Sequence, residues 1–345
     1  MKIKKNTKIL LAIILVIAVI ALIYAYSVYK DIFKGNINET AFIFVPTGSD
    51  YQDLTDTLIS SGVFIDFDSF KKTAQIKKFT DKVRPGKYQL KKGMTNNEIV
   101  NMLRSGKQTP VKFTFNNIRT IDELASKIGK SLEADSIEAA SLLKDDHFTS
   151  EFGFTTENII SMFIPNTYEF YWNTDAKEFI DKMNKEYKKF WGEDRLEKAK
   201  KINLTPQQVS VLASIVQAEQ MLHNDEKPKI AGLYINRLRR EMLLQSDPTL
   251  IFASGDFTKK RVLNSDKEIE SPYNTYKYAG LPPGPINMPE ISSIDAVLNY
   301  ESHNYIFMCA KEDFSGYHNF STNAAQHENY ARLYRQALNK KKIWK

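Results

Sequence analysis

Residues 9–26 read ILLAIILVIAVIALIYAY, an apolar run without charge, proline or glycine, directly behind a tip that carries Lys2, Lys4, Lys5 and Lys8. Nothing else in the chain constrains its folding so strongly. A run of about 18 to 20 such residues is long enough to cross a bilayer as a tilted helix. Tyr24, Tyr26 and Tyr29 then suit the far interface as aromatic anchors, and the lysines ahead of the run keep the N-terminus in the cytoplasm. This predicts a single-pass protein of the cytoplasmic (inner) membrane, with the remaining chain on the periplasmic or extracytoplasmic side. A cleaved signal peptide is the competing reading. The run is longer than a usual signal core, and its end lacks a small-x-small cleavage site. We therefore read residues 1–30 as a cytoplasmic tip and a retained anchor.

The rest of the chain has the composition of a folded protein. At 345 residues, 42% hydrophobic and 26% charged, it has room for two or three domains with real cores. The net charge of +7, with lysine tracts at both ends, suits an anionic polymer or a membrane surface, or simply solubility. No zinc-finger spacing or aromatic RNA-binding signature is present, so no nucleic-acid partner is expected. Cys309 is the only cysteine, which excludes an internal disulfide; within YIFMCA it reads as a small core hydrophobe. His223, His303, His318 and His327 lack metal-ligand spacing, and there is no HExxH, so no metal is expected.

After a polar linker at 31–40, residues 41–108 read as one small α+β module. AFIFVP is a strand ended by Pro46. A helix capped by Ser49 or Asp50 carries Leu54, Leu58 and Ile59 and stops at Gly62. A basic helix at 67–78, a strand at 87–90 and a capped helix at 95–103 follow. This strand–helix–helix–strand unit resembles a LysM-like module, a family that binds glycan chains; a structural adaptor is the other reading. Residues 109–345 are expected to form a second domain, with a lead-in subdomain at 109–200 and a core at 201–345. The lead-in reads as a strand at 111–115, helices at 120–128 and 131–144, a loop-rich 145–161, an extended aromatic stretch at 163–172, and helical segments at 177–191 and 194–201.

Residues 204–222, LTPQQVSVLASIVQAEQML, predict a central helix. Thr205 caps, Pro206 suits the first position, and Gln208 closes a capping box. At about 100° per residue from Val209, Val211, Leu222, Ile215, Leu212, Val216, Val209 and Ala213 cover an arc from about 200° round to about 40°, and Glu219 falls inside it at about 280°. Gln217 falls outside. A carboxyl on a buried face is costly unless it is paired or protonated. Glu219 is therefore either half of a structural ion pair, for example with Arg237 or Arg239, or an acid whose pKa is raised for catalysis.

Beyond it, 225–240 reads as a helix, and MLLQSDPT leads into 250–253. Residues 271–289, SPYNTYKYAGLPPGPINMP, are too rich in proline and glycine for a helix. Loops rich in Tyr and Asn and stiffened by proline suit sugars, whose rings stack on aromatic faces and whose hydroxyls are read by amides. A helix begins at 294–298, strands at 303–310 and 316–321 form a hairpin, and an amphipathic helix at 323–340 closes the chain. The expected fold class is thus α+β. It comprises an N-terminal transmembrane helix, a small LysM-like module, and a mixed α+β catalytic domain whose central helix carries the acid beside a β-hairpin.

The segments LASIVQAE (212–219), INRL (235–238), LQSDPT (244–249), SPYNTY (271–276), GLPPGPI (280–286) and HNF (318–320), in that order, resemble the motifs of the MltG or YceG-like endolytic murein transglycosylase family. The resemblance runs from the anchor to the last helix. It implies cleavage of the β-1,4 bond between N-acetylmuramic acid and N-acetylglucosamine inside peptidoglycan strands, leaving a 1,6-anhydro-muramyl end. It implies Glu219 as the catalytic acid, and no metal or organic cofactor. The family usually carries two acids in this motif, IVExE; here Gln217 stands at the first position. The resemblance further implies that Gln245, Asp247, Thr249, Tyr273, Asn274, Thr275 and Tyr276 line the substrate cleft. Gln245 and Asn274 would orient N-acetyl groups, Tyr273 or Tyr276 would stack on a ring, and Asp247 would be a second carboxylate or a backbone cap. His318 and Asn319 would face the cleft from the hairpin. By the same analogy the enzyme ends growing strands beside peptidoglycan synthases. The reading from a different class is a membrane-tethered peptidoglycan-binding scaffold without turnover.

Overall fold

A computed structural model of the protein describes residues 5–115, 118–259 and 261–341. Lys2 and Lys4 of the basic N-terminal tip lie outside the described residues. The described chain divides into two compact units. One holds the segments up to Lys112 together with Ser131–Glu133 and Glu169–Asp175; the other holds Phe113–Lys130, Ala134–Tyr168 and the chain from Ala176 onward.

The first unit begins with α1 (Lys5–Phe33). At 29 residues this helix is roughly 43 Å long. It is long and apolar enough to cross a membrane, and its apolar side chains from Ile9 to Tyr29 are exposed all round. Next come β1 (Ala41–Val45), α2 (Tyr51–Ser60), α3 (Phe67–Ile76), β2 (Gly86–Leu90) and α4 (Asn96–Ser105). β1 and β2 pair antiparallel, with Ala41 opposite Leu90 and Val45 opposite Gly86. Alternation along both strands sends Ile43, Val45, Tyr88 and Leu90 into a core shared with Leu54, Leu58, Phe70 and Ile99. Asp50 and Thr95 each close a capping box, with Asp53 and Glu98.

The polar linker expected at 31–40 is not a linker. α1 continues to Phe33, Gly35 bridges to Thr95 and Ile37 to Phe64, and Asn36 and Ile37 are buried. The cause is a knot of neutral side chains. Asn36 Nδ2 donates to Asp66 O, Ser69 Oγ and Asn96 Oδ1, while Asn36 Oδ1 accepts from Asp66 N. Asn96 Nδ2 and Thr73 Oγ1 donate to the carbonyl of Asp31 in the last turn of α1. The otherwise unpaired end of the apolar helix is thereby joined to α3 and α4.

The second unit, with the first half of β3, the last residue of α5 and the second half of β4 counted in the first, runs through β3 (Val111–Thr114), α5 (Ile121–Ser131), α6 (Ser136–Leu143), α7 (Asp146–Glu151), β4 (Thr167–Phe170), α8 (Ala176–Phe190) and α9 (Glu193–Lys201). Two expectations need correction here. The helix placed at 131–144 starts only at Ser136, because Asp135 caps it by accepting from Ile137 N and Glu138 N. The loop-rich 145–161 contains α7, capped by Asp145, and a 3-10 turn at Ile159–Met162. α7 is a single short turn sequence, DHFTSE, with no apolar period to announce it.

The core of this unit follows as α10 (Pro206–Glu219), α11 (Lys227–Arg239), α12 (Asp247–Ser254), α13 (Ile291–Leu298), β5 (Phe307–Ala310), β6 (His318–Ser321) and α14 (Ala324–Lys340). Helix α10 packs against α9, α11, α12 and α13 and is buried all round from Val209 to Val216. The expected capping box is present, Thr205 with Gln208 and Pro206 in the first turn. The helix is shorter than expected at its far end. Gln220 leaves it with φ −136°, and its Oε1 accepts from Leu222 N and His223 N, which turns the chain. Leu222, expected on the buried arc, is 78% exposed, as is Met221 beside it. β5 and β6 form the expected antiparallel hairpin, with Cys309 opposite Asn319.

Candidate active site

Glu219 is the last residue of α10, where that helix reaches a cleft of about 470 Å³. Tyr234 on α11 and Ser246, the residue before α12, close on the same carboxyl oxygen. Tyr234 Oη donates to Oε1 at 2.7 Å and Ser246 Oγ donates to it at 2.5 Å. Oε2 has no hydrogen-bond partner among the described residues, and Glu219 lines the cleft. Burial drives the Glu219 pKa up; the hydrogen bonds from Ser246 and Tyr234 oppose that rise, Asp247 adds to it, and His318, when its ring is protonated, subtracts from it. The position at a helix C-terminus, the negative end of the dipole, disfavours a carboxylate further. Burial, followed by the neighbouring Glu219 charge, raises the Tyr234 phenol well above its ordinary value, so it stays a donor.

The structural ion pair that the sequence left open is not formed. Arg237 Nε donates to Ile306 O, and its Nη1 donates to Leu243 O and Leu244 O; Arg239 reaches the Tyr300 hydroxyl. Neither makes an ion pair with Glu219 among the described residues. Gln217 also faces elsewhere. Its Oε1 accepts from Glu290 N at 2.6 Å and from Ser293 Oγ at 3.1 Å, at the start of α13.

Four other residues singled out in the sequence line the cleft with Glu219: Gln245, Asp247, Tyr276 and His318. Asp247 Oδ1 accepts from the Tyr276 hydroxyl at 2.5 Å. Burial first, and then Asp247, push the Tyr276 phenol upward. Gln245 has φ +52°, a left-handed conformation that costs a non-glycine residue on the order of 1 kcal/mol. Its backbone N–H donates to Thr275 O, and its Oε1 accepts from Arg237 Nη1.

The remaining five lie in the framework. Thr249 Oγ1 donates to Ser246 O and shares a hydrogen bond with Thr275 Oγ1, and Thr275 Oγ1 accepts from Ser246 N. Both threonines are buried, and together they fix the backbone that carries Ser246 to Glu219. Asn274 is fully buried; it donates to Lys267 O and Ile269 O and accepts from Tyr276 N, shaping the turn that presents Tyr276. Tyr273 packs on Phe252 with ring centroids 4.6 Å apart, and burial pushes its phenol up to about 12. The chain at Gly284 passes so close that a Cβ there would lie 1.9 Å from Glu157 O and 2.8 Å from Tyr273 Oη. Asn319 on the hairpin donates to Glu312.

Sequence reasoning missed Tyr234 and Ser246. Tyr234 directly precedes the INRL motif on the buried face of α11, and Ser246 sits inside LQSDPT, so both were next to quoted motifs. Cys309, expected in the core, is half-buried and lines the cleft wall; burial raises its thiol pKa. Among the described residues no cluster of three or more His, Cys, Asp or Glu side chains is placed to hold a metal ion.

Comparison with known proteins gives this geometry a family. The endolytic murein transglycosylase of Bacillus subtilis is 28% identical over 309 residues, covering 85% of this chain and 84% of that protein. The endolytic murein transglycosylase of Streptococcus pneumoniae strain D39 is 27% identical over 311 residues; the match covers 80% of this chain but 55% of the longer streptococcal protein. The crystal structure of a yceG-like protein from Listeria monocytogenes superposes with a TM-score of 0.57 at 26% identity, covering 84% of this chain and 98% of the other. The profile of the YceG-like family matches residues 43–333, most of the sequence, and the chain belongs to that family.

Proposed function

We propose that this protein is an endolytic peptidoglycan lytic transglycosylase. It cleaves the β-1,4 bond between N-acetylmuramic acid and N-acetylglucosamine within glycan strands and leaves a 1,6-anhydro-muramyl end. The observation that carries this reading is the asymmetry of the Glu219 carboxyl. Two hydroxyl donors occupy Oε1, so the proton of the neutral acid resides on Oε2, the oxygen without a partner among the described residues, on a side chain that lines the cleft. From there it passes to the glycosidic oxygen as the bond to the anomeric carbon breaks. The carboxylate left behind takes the proton of the muramyl C6 hydroxyl as that oxygen attacks the same carbon. Glu219 ends protonated again, and no water is consumed. Hydrolytic glycosidases need a second carboxylate for water or for a covalent intermediate. Here the nucleophile belongs to the substrate, so proximity is built in.

Tyr234 and Ser246 support this cycle. Hydrogen bonds to a charged acceptor are stronger than to a neutral one, so both tighten when the carboxylate forms. Gln245 and Tyr276 offer an amide and an aromatic face to the sugars. Asp247, engaged by Tyr276, contributes negative charge that helps keep the proton on Glu219.

In the same reading α1 is a single-pass anchor in the cytoplasmic (inner) membrane, with the N-terminus inside and the catalytic domain outside. The chain is organised as an anchor at 1–30, a module at 41–108 and a catalytic domain at 109–345, itself a lead-in at 109–200 and a core at 201–345. The module is LysM-like and holds glycan. Its strand–helix–helix–strand order supports this, as does a cleft of about 620 Å³ where Ser49, Asp50 and Tyr51 face the stretch from Thr80 to Pro85. The physiological role is to end nascent strands beside peptidoglycan synthases. The scaffold alternative has no support among the relatives, which are named as enzymes.

Product analysis on purified, uncrosslinked strands tests the proposal. Wild type is expected to release anhydro-muramyl ends without incorporating oxygen-18 from labelled water, and Glu219→Gln to release none while keeping its circular dichroism. Full activity of the variant would remove Glu219 from the mechanism; labelled reducing ends would make the enzyme a hydrolase.

A further inference from the structure

The proposed cycle leaves one buried carboxylate without a task. Glu226, immediately before α11, is 6% exposed. Three donors converge on it. His318 N reaches Oε1 at 2.8 Å, and His318 Nδ1 at 2.8 Å and Gln220 Nε2 at 2.6 Å reach Oε2. Burial alone would raise this carboxyl; the hydrogen bonds from the His318 side chain and backbone and from Gln220 outweigh it and hold the group below the usual range.

Joining the hairpin to the end of α10 does not require a charge. Gln220 Nε2 also donates to Gly316 O, His223 bonds Ser315 O, and the His223 ring stacks on Tyr317 at 3.8 Å. What the carboxylate adds is a choice of tautomer. An ionised carboxylate only accepts, so the Nδ1 beside it carries the hydrogen, and in the neutral ring Nε2 keeps a lone pair. His318 lines the cleft together with Glu219, and its Nε2 has no partner among the described residues. A ring nitrogen that keeps a lone pair and lines the cleft is complementary to a sugar hydroxyl.

We propose that Glu226 is a positioning residue. It fixes the His318 tautomer so that Nε2 accepts a hydrogen bond from a hydroxyl of the glycan strand lying against Glu219. This rests on reading the cleft as a transglycosylase site. It assigns the dyad to holding substrate, since Glu219 alone carries the proton through the cycle.

The replacement that separates tautomer choice from shape is Glu226→Gln. Three donors meet two carboxylate oxygens; an amide has only one oxygen, so a hydrogen of its own must face either the His318 backbone N–H or the Nδ1 side. The backbone N–H cannot turn, so the amide hydrogens face the side chains: the His318 ring changes tautomer, and Gln220 Nε2 gives up this bond while keeping the one to Gly316 O. In full-length protein labelled with 15N-histidine, at a pH well above the ordinary imidazole value, wild type is expected to show His318 with hydrogen on Nδ1, and Glu226→Gln to show it on Nε2. Glu226→Gln is expected to raise KM for glycan strands about tenfold, roughly the 1.4 kcal/mol of one hydrogen bond, with kcat much less affected. In a His318→Ala background the same change is expected to cost nothing further. A wild-type ring with hydrogen on Nε2 would overturn the proposal. So would a further tenfold loss on adding Glu226→Gln to His318→Ala. The tautomer is read without substrate, so it stands or falls separately from whether wild type leaves anhydro ends.

Discussion

Asn36, Ser69 and Asn96 in the first unit, and Glu219, Tyr234 and Ser246 in the second, are both small polar knots sunk among apolar side chains. In the first, every member is neutral and the bonds close on one another. Asn96 Nδ2 reaches Ser69 Oγ and Asp31 O, and its Oδ1 accepts from Asn36. In the second, one member is ionisable, both hydroxyls crowd one of its oxygens, the other oxygen has no partner among the described residues, and the side chain lines a cleft. A saturated neutral knot specifies packing, while an ionisable knot left one bond short holds a proton it can give away. The first pins an apolar helix to a module; the second suits chemistry.

If that contrast is right, changes at the two knots should affect different measurements. The largest effect is expected for Glu219→Gln, a loss of activity on the order of a thousandfold or more. The same change should alter stability with pH in a defined direction. The Glu219 pKa is raised in the folded state, so between its unfolded and folded values the native protein binds the extra proton, and stability falls as pH rises through that window. Glu219→Gln should therefore melt higher than wild type at neutral pH, with the difference vanishing in acid. Scanning calorimetry across pH checks this; a variant that melts lower at neutral pH would contradict the raised pKa.

Tyr234→Phe comes next. One donor to the developing carboxylate is lost, so kcat should fall on the order of a hundredfold. Because the Tyr234 bond lowers the Glu219 pKa, its removal should move the alkaline fall-off of activity to higher pH. A pH–rate profile that drops without shifting would count against the assigned hydrogen bond. Asn96→Ala should do the opposite. It removes one partner each from Asn36, Ser69 and the Asp31 carbonyl and should cost about 1–3 kcal/mol in denaturant melts, with activity per folded molecule unchanged. The smallest effect is expected for Gln217→Glu, less than about twofold in kcat/KM, because that side chain serves α13 and the cleft lies elsewhere.

These contrasts also show which features could be read from the chain. Asp50, Thr95 and Thr205 act as caps because a cap is a bond between near neighbours, visible as spacing. Glu219 stood out because helical periodicity alone placed a charge among apolar residues. The docking of 31–40 was not legible, since Asn36 looks like any linker asparagine until Asn96, sixty positions on, comes beside it. Nor was the end of α10 at Glu219, which depends on Gln220 folding back on its own chain. Tyr234 and Ser246 carry no period or motif of their own. Their role exists only where α11 and the start of α12 meet the end of α10. Thr249, Asn274 and Thr275 are the converse, residues of a motif that lie behind the cleft, where they set the backbone that Ser246 and Tyr276 stand on.

The most direct test is a titration of the Glu219 carboxyl itself, by 13C difference spectra of glutamate-labelled wild type against Glu219→Gln. The expected midpoint lies clearly above the ordinary glutamate value of about 4.3. A midpoint at or below that value would mean that Glu219 is an ordinary carboxylate at neutral pH, and the proton relay drawn from its position would be lost.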